Sequence, residues 1–412
     1  MGCDYLWHMK RSSWLDVLAG ATGEAQTLTP SIRQALLSLD DALFGVWNLG
    51  DNIILVWTRD DREARFLAVR HYAIIEAFDV GPAASADTSG AFINGILAGP
   101  KFVPPAEFDR IVGVLGAASQ VFRTGVAPTP PSDALVTRLV TRYGVSLVRE
   151  RAVVLLDAVG FSLRSPLEQV AMLNSLSYSV NSAYRQLMSK DVEINFARTT
   201  TGDGFYIWNR ARTLDANIAL YKLMMLILTD NAVAQRKAKR FPVPKLRTAF
   251  HVGEHYEFYQ VEALNPTTFG YIVGQVTIEL SRMIARALPG QILLGDFNVE
   301  VGTDDAQGVT RYDTLDFVAK TSATLDQLNG LMVARDRIEN IRCYLTGEAA
   351  PGGDFRVSRY QIGDKHGATR AVYNAKINIH RQKARPIYLG LQHKELHPPP
   401  GTAKPVWPDP EA

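Results

Sequence analysis

ERAVVLLDAVGFS, residues 150–162, and NFARTTTGDGFYIWN, residues 195–209, are the stretches on which the reading of this chain turns. The first is an apolar run that ends on Asp157 and is released by Gly160; the second carries Asp203 in the turn of a hairpin. A carboxylate at the end of a buried strand has a rigid backbone and a solvated head, which suits hard cations and phosphates. Either aspartate alone reads equally well as a turn or cap residue. Two of them, at apolar strand ends, point to a two-metal site.

Working outward, a strand over Arg151 to Leu156 leads to a long helix over Pro166 to Met188 and the hairpin around Asp203. A second long helix over Leu214 to Ala234 and a strand over Lys245 to Val252 follow. Then come a further strand near Tyr256 to Val261, a helix over Gly274 to Ala287 and a strand over Gln291 to Leu294. That alternation predicts a split βαβ, ferredoxin-like α+β layer.

Four signatures in this region, taken together and in order, resemble the class III nucleotidyl cyclases, the family of adenylate and guanylate cyclases. Leu156-Asp157-Ala158-Val159-Gly160-Phe161-Ser162 is similar to the family's Asp-Ile-x-Gly-Phe-Thr, and Thr201-Gly202-Asp203-Gly204-Phe205 to its Gly-Asp-x-Phe hairpin. Leu246-Arg247-Thr248-Ala249-Phe250-His251-Val252-Gly253 is similar to its Arg-x-Gly-x-His-x-Gly strand. Gly274 through Ser281-Arg282-Met283 to Pro289-Gly290-Gln291-Ile292-Leu293 is similar to its arginine-bearing helix and the turn after it. The resemblance covers roughly Arg149 to Phe297 and implies a cyclase domain over 146–300. It implies two Mg2+ or Mn2+ ions held by Asp157, Asp203 and the carbonyl of Ala158, and an Arg282 that stabilises the reacting phosphoryl group. Substrate contacts from Phe161, Thr199, Gly202 and Tyr271 are implied too. The substrate would be a nucleoside triphosphate and the active form a homodimer with sites at its interface, since the family's arginine comes from the partner subunit.

Three positions depart from the family. Thr199 stands where adenylate cyclases have lysine and guanylate cyclases glutamate, Tyr271 where aspartate or cysteine is usual, and Ile278 where an asparagine orients the ribose. A tyrosine with a small threonine suits a pyrimidine, similar to the bacterial antiphage cyclases that make cyclic UMP or cyclic CMP. The other readings are cyclic AMP, with the base held by other groups, and a non-catalytic nucleotide- or nucleic-acid-binding signalling protein on a cyclase-like core.

The rest of the chain sets the frame. Its 412 residues allow more than one domain, and a formal net charge of +2 does not call for a polyanion partner. Two distant cysteines, Cys3 and Cys343, indicate no disulfide framework and fit a reducing cytoplasm. No apolar run reaches the roughly 20 residues of a membrane helix, and the start has neither an h-region nor, with Leu6 in sixth place, a myristoylation motif. The expectation is a cytoplasmic protein with no membrane partner.

Ahead of the core, residues 1–124 read as an α/β module of regulatory or structural type, with a hairpin around Leu49-Gly50-Asp51-Asn52 and a helix over Arg62 to Phe78. A Pro-rich linker and a short helix capped by Ser132 span 125–145. After the core, 301–396 reads as a helical segment, Asp313 to Leu345, then a small basic antiparallel β extension with strands around Asp364-Lys365-His366-Gly367 and a third in RPIYLGL. Residues 397–412 read as a disordered tail.

Two motifs invite other functions. His251-Val252-Gly253-Glu254-His255 matches an inverted zinc-protease pattern, but that needs both histidines one helical turn apart, and the run reads as strand. The basic and aromatic C-terminal sheet could bind single-stranded nucleic acid. A charged outer face of an edge hairpin explains it better, so nucleic acid is not an expected partner.

Overall fold

The computed structural model describes residues 28–74, 90–126, 130–239, 242–261, 268–302, 308–348, 356–363 and 369–396. They fall in two compact units, one drawn from Met1–Val148 with Tyr256–Ile272, the other from Arg149–His255 with Val273–Ala412. The tail from His397 lies outside the described residues.

In the first unit, helix α1 (Pro30–Trp47) starts where Thr29 Oγ1 accepts a hydrogen bond from the Ile32 N–H at 3.3 Å, and stops at Asn48 in the left-handed region, φ 48°. Strands β1 (Asn52–Arg59) and β2 (Glu63–Arg70) pair antiparallel. The turn between them is held by Asp60 Oδ1, which accepts from the N–H groups of Arg62 and Glu63 at 2.8 and 2.9 Å. Helices α2 (Gly90–Ala98) and α3 (Pro105–Leu115) follow, and β3 (Ser119–Gly125) then pairs with β2. Helix α4 (Asp133–Thr141) is capped by Ser132, whose Oγ accepts from the Leu135 N–H at 3.4 Å.

Two expectations for this unit are corrected. The hairpin turns at Asp60, not at Leu49, because Leu36, Leu43 and Trp47 keep helical spacing and bury along α1 through the run read as a first strand. The segment from Arg62 is a strand, not a helix, as far as Arg70; residues 75–78 of that expected helix lie outside the described residues. Phe66, Leu67, Ala68 and Val69 are buried in succession, and such an unbroken apolar run has no period that separates strand from helix.

Strand β4 (Val145–Ala158) runs from the first unit into the second. Helix α5 (Pro166–Met188), strands β5 (Phe196–Thr200) and β6 (Gly204–Asn209), helix α6 (Leu214–Lys237) and strand β7 (Leu246–Val261) follow. The strands run β7-β4-β6-β5 across the sheet, with β4–β6 and β5–β6 antiparallel, which is the ferredoxin-like order. The two strands expected between Lys245 and Val261 are one continuous strand. Pro166 opens α5, and the Glu168 carboxylate reaches back to the Ser165 N–H at 2.9 Å. Thr213 Oγ1 caps α6 by accepting from the Ala216 N–H at 3.2 Å.

One face of the sheet, with Ala152, Val154 and Leu156 of β4, packs on Leu176 and Val180 of α5 and on Leu220 and Met224 of α6. Helix α6 is buried on all sides from Ala216 to Thr229, so its sequence is apolar all round rather than striped. Strand β8 (Thr268–Val273) pairs with β7; helix α7 (Gln275–Arg286) and strand β9 (Ile292–Gly295) come next, β9 lying parallel to β7. A two-stranded ribbon of β10 (Asn298–Gly302) and β11 (Val309–Asp313) leads to α8 (Thr314–Ala323), whose Phe317 stacks on Phe250 of β7 at 5.2 Å.

The expected helix from Asp313 to Leu345 is corrected beyond Ala323, where strands β12 (Met332–Val333) and β13 (Asp336–Leu345) form instead. A bulge between Ile338 and Asn340 interrupts the two-residue period, so the buried Ile338 and Ile341 fall three apart before Cys343 and Leu345 resume the alternation. Strands β14 (Arg359–Gly363), β15 (Thr369–Arg381) and β16 (Ile387–Leu389) form as expected, before a last turn, α9 (His393–Leu396); the turn residues 364–367 lie outside the described residues. These strands continue the central sheet: β15 pairs with β9 on one side and β13 on the other.

Gly204 faces Asp157 across β4 and β6, and a Cβ added there would lie 1.8 Å from the Leu156 carbonyl oxygen. Gly204→Ala is therefore expected to cost about 1–3 kcal/mol by overpacking, read as a lower urea midpoint; an unchanged midpoint would show that the two strands can part without penalty.

Candidate functional site

The two aspartates meet where β4 ends beside the β5–β6 turn. The Ala158 N–H donates to the Asp203 carbonyl at 3.0 Å, and the Val159 N–H donates to the Lys245 carbonyl at 2.9 Å, so the strand end is held from both neighbours. Gly202 turns the chain at φ +97°, its N–H donating to Thr200 Oγ1 at 3.1 Å, and Thr201 Oγ1 donates to Asp203 Oδ1 at 3.3 Å. Past the strand, Gly160 at φ +68° opens a short 3-10 turn over Phe161–Leu163, tied down where Gln169 Nε2 donates to the Phe161 carbonyl at 3.2 Å.

Asp157 is only 8% exposed, while Asp203 is half-buried. Arg247 of β7 reaches Asp157: its Nε donates to Oδ2 at 2.7 Å and its Nη2 lies 2.6 Å from the same oxygen. Burial pushes the Asp157 carboxyl above its ordinary value near 3.8; the Arg247 guanidinium pulls it down, and the neighbouring Asp203 adds to the rise. The result is a carboxylate pair with a cation already on one member. Arg247 is the participant that sequence reasoning left without a role, although its position in the third signature was visible.

Thr199 lies opposite Tyr206, and Tyr206 opposite Leu155, so the two-residue period puts all three on the sheet face that carries Asp157. The Tyr206 hydroxyl donates to the Thr277 carbonyl at 3.2 Å and ties α7 to that face. On α7, Val276, Leu280, Met283 and Ile284 are buried, while Ile278, Ser281 and Ala285 are exposed on the opposite face with the half-exposed Arg282. The structure thus brings Asp157, Ala158, Gly202 and Asp203 together, keeps Phe161 in the adjoining turn and Thr199 on the same hairpin, and sets Arg282 on the outer side of α7. Tyr271 belongs to the other unit, where its ring stacks on Phe258 at 5.5 Å.

The donors at the strand end are all hard oxygens: two carboxylates and the Ala158 carbonyl. Among the described residues no group of three or more His, Cys, Asp or Glu forms a metal cage. A paired carboxylate that leaves most positions to water or phosphate oxygens is the arrangement Mg2+ accepts.

The other two motifs resolve differently. His251 and His255 both lie in β7, where residues four apart are separated by about 13 Å. The His251 ring packs against Phe297 and lies where any side chain at Gly295 would have to go, and burial pushes it down to about 4. His255 is fully buried, with Nε2 3.5 Å from Arg151 Nη1. Three basic residues of the C-terminal strands have partners within the chain: Arg359 pairs with Asp296, Arg370 with Glu279, and Arg381 donates to the Arg385 carbonyl.

Neither a protein-family model nor a curated protein matches the chain. The solved structures to which it is similar include adenylyl and guanylyl cyclases. The adenylyl cyclase CyaB from P. aeruginosa is 13% identical, covering 58% of this chain and 97% of that one, with a TM-score of 0.33. The guanylyl cyclase Cya2 is 13% identical over 56% of this chain and 92% of its own, at 0.29. A bacterial light-regulated adenylyl cyclase is 16% identical over 46% and 61%, at 0.29.

The raised value of Asp157 has a sign that can be measured. The folded chain holds this proton more tightly than the unfolded chain, so the group's contribution to stability falls as pH rises from its ordinary value near 3.8 through the raised one. Asp157→Asn cannot ionise. The variant is expected to gain stability relative to wild type between about pH 3.5 and about pH 7 in urea unfolding; a constant or shrinking difference would refute the assignment.

Proposed function

We propose that the protein is a metal-dependent nucleotidyl cyclase, converting a nucleoside triphosphate to a 3',5'-cyclic nucleotide and pyrophosphate. The observation that carries this is the adjacency of Asp157 and Asp203 at one strand end with Arg247 on the buried member, in a chain whose four signatures resemble the cyclases. Asp157, Asp203 and the Ala158 carbonyl would hold two Mg2+ or Mn2+ ions, which when bound acidify the ribose 3'-hydroxyl and neutralise phosphate charge.

The chain's own residues do the remaining work. Arg247 exchanges the Asp157 carboxylate for triphosphate oxygens, a swap its planar fork makes without changing charge. The Gly202–Asp203 turn admits the phosphates because it carries no side chain at its tip. The ribose 3'-hydroxyl gives up its proton to solvent as its oxygen bonds to the α-phosphorus, the bond from that phosphorus to the bridging oxygen breaks, and pyrophosphate leaves with the charge. Arg282 of a second copy engages the phosphoryl oxygens as that charge shifts. Thr199, an uncharged donor and acceptor beside Tyr206, faces the base. A homodimer accounts for exposed apolar side chains around the site: Leu163 is 89% exposed, Leu167 79% and Ile278 47%.

Incubation with Mn2+ and each of ATP, GTP, CTP and UTP, followed by mass spectrometry, is expected to yield one cyclic nucleotide and so to name the base. Asp157→Ala and Asp203→Ala are each expected to lose turnover by ~10³-fold or more, and Mn2+ is expected to raise Tm of the wild type but not of Asp203→Ala. Retained turnover in either variant would falsify the site. A Mn2+ shift without any product would favour a non-catalytic nucleotide-binding protein.

A further inference from the structure

The unit drawn from Met1–Val148 and Tyr256–Ile272 contains a cavity of about 570 Å³ between α1 and the β1–β2–β3 sheet. Its origin lies in the choice of residues on α1. The core-facing stripe uses Ile32, Leu36 and Leu43, whereas the adjacent stripe that borders the cavity has Ser31, Ala35 and Ser38, spaced four and three apart. Short side chains there leave the space open.

Behind the cavity wall Trp57 and Phe66, both fully buried, stack within 12° at 5.9 Å as a flat, rigid backing, and Trp57 is fixed because its Nε1 donates to Thr137 Oγ1 at 3.0 Å. Pro130 and Pro131 form part of the rim, and their locked φ angles leave little to order on binding. The charged side chain on the lining is Arg59, and its Nε is 2.8 Å from Asp133 Oδ1, so its charge is already balanced. Gln34 and Thr124 supply neutral hydrogen-bonding groups.

We propose that this cavity is a binding site for an uncharged, flat, mainly apolar small molecule of the aromatic or heteroaromatic class with one or two hydrogen-bonding groups. The volume lies in the range of small-molecule sites, roughly 300–1,000 Å³. An apolar, pre-shaped lining with a few neutral polar groups selects flatness and neutrality rather than charge. The site is independent of the aspartate pair and of the activity proposed for it.

The probe is indole, with cyclohexanol as a non-flat and benzoate as a charged comparison, titrated against the full chain by saturation-transfer NMR. Indole is expected to bind saturably at about millimolar affinity, as befits so small a ligand, and more tightly than either comparison. Ser38→Trp, at an exposed helix position, is expected to fill the cavity and weaken indole at least tenfold with Tm unchanged. Should that variant fail to fold, Ala35→Leu provides the same reading. Absent saturation in the wild type, equal binding of benzoate, or indole binding untouched by a folded cavity-filling variant would each overturn the proposal.

Discussion

The close approach of β6 to β4 at Gly204 is the constraint on which the candidate site depends. With no side chain at that position, the backbone of the hairpin presses against Leu156, and the next residue back, Asp203, offers its carbonyl to the Ala158 N–H. Both carboxylates are then set by main-chain geometry rather than by side-chain rotamers, which is how a site keeps its shape before any ligand arrives. The same pairing carries Tyr206 to the face where it holds α7 through Thr277.

Crowding two carboxylates, one of them buried, is electrostatically costly. Arg247 offsets that cost from the neighbouring strand, concentrating two nitrogen contacts on one oxygen of Asp157. Among the groups at the strand end it is the part that must rearrange if cations and phosphates enter, whereas the strands themselves can stay where they are.

The core was legible because its elements carry strong local signals. Pro166 opened the run read as α5, and the glycines at 160 and 202 marked the turns around both aspartates. What misled were places where period fails. A bulge interrupted the alternation of β13 at its start, and continuous burial gave β2 no spacing at all. The Arg247–Asp157 contact spans 90 residues and comes from strand order, which local pattern does not encode. Thr199 could be placed on the hairpin from sequence, but the face it shares with Asp157 follows from register through Tyr206.

Strand β9 lies between β7 and β15, and its four residues are buried throughout. Ending the chain near Phe297, where the cyclase-like signatures stop, would strip β15 from that strand and leave a row of unbonded amides and carbonyls beside exposed Ile292, Leu293 and Leu294. Such an edge is a template for adding a foreign strand. The residues past the signatures therefore act as the sheet's selvedge, and a shortened chain would be prone to self-association whatever the fate of its aspartates.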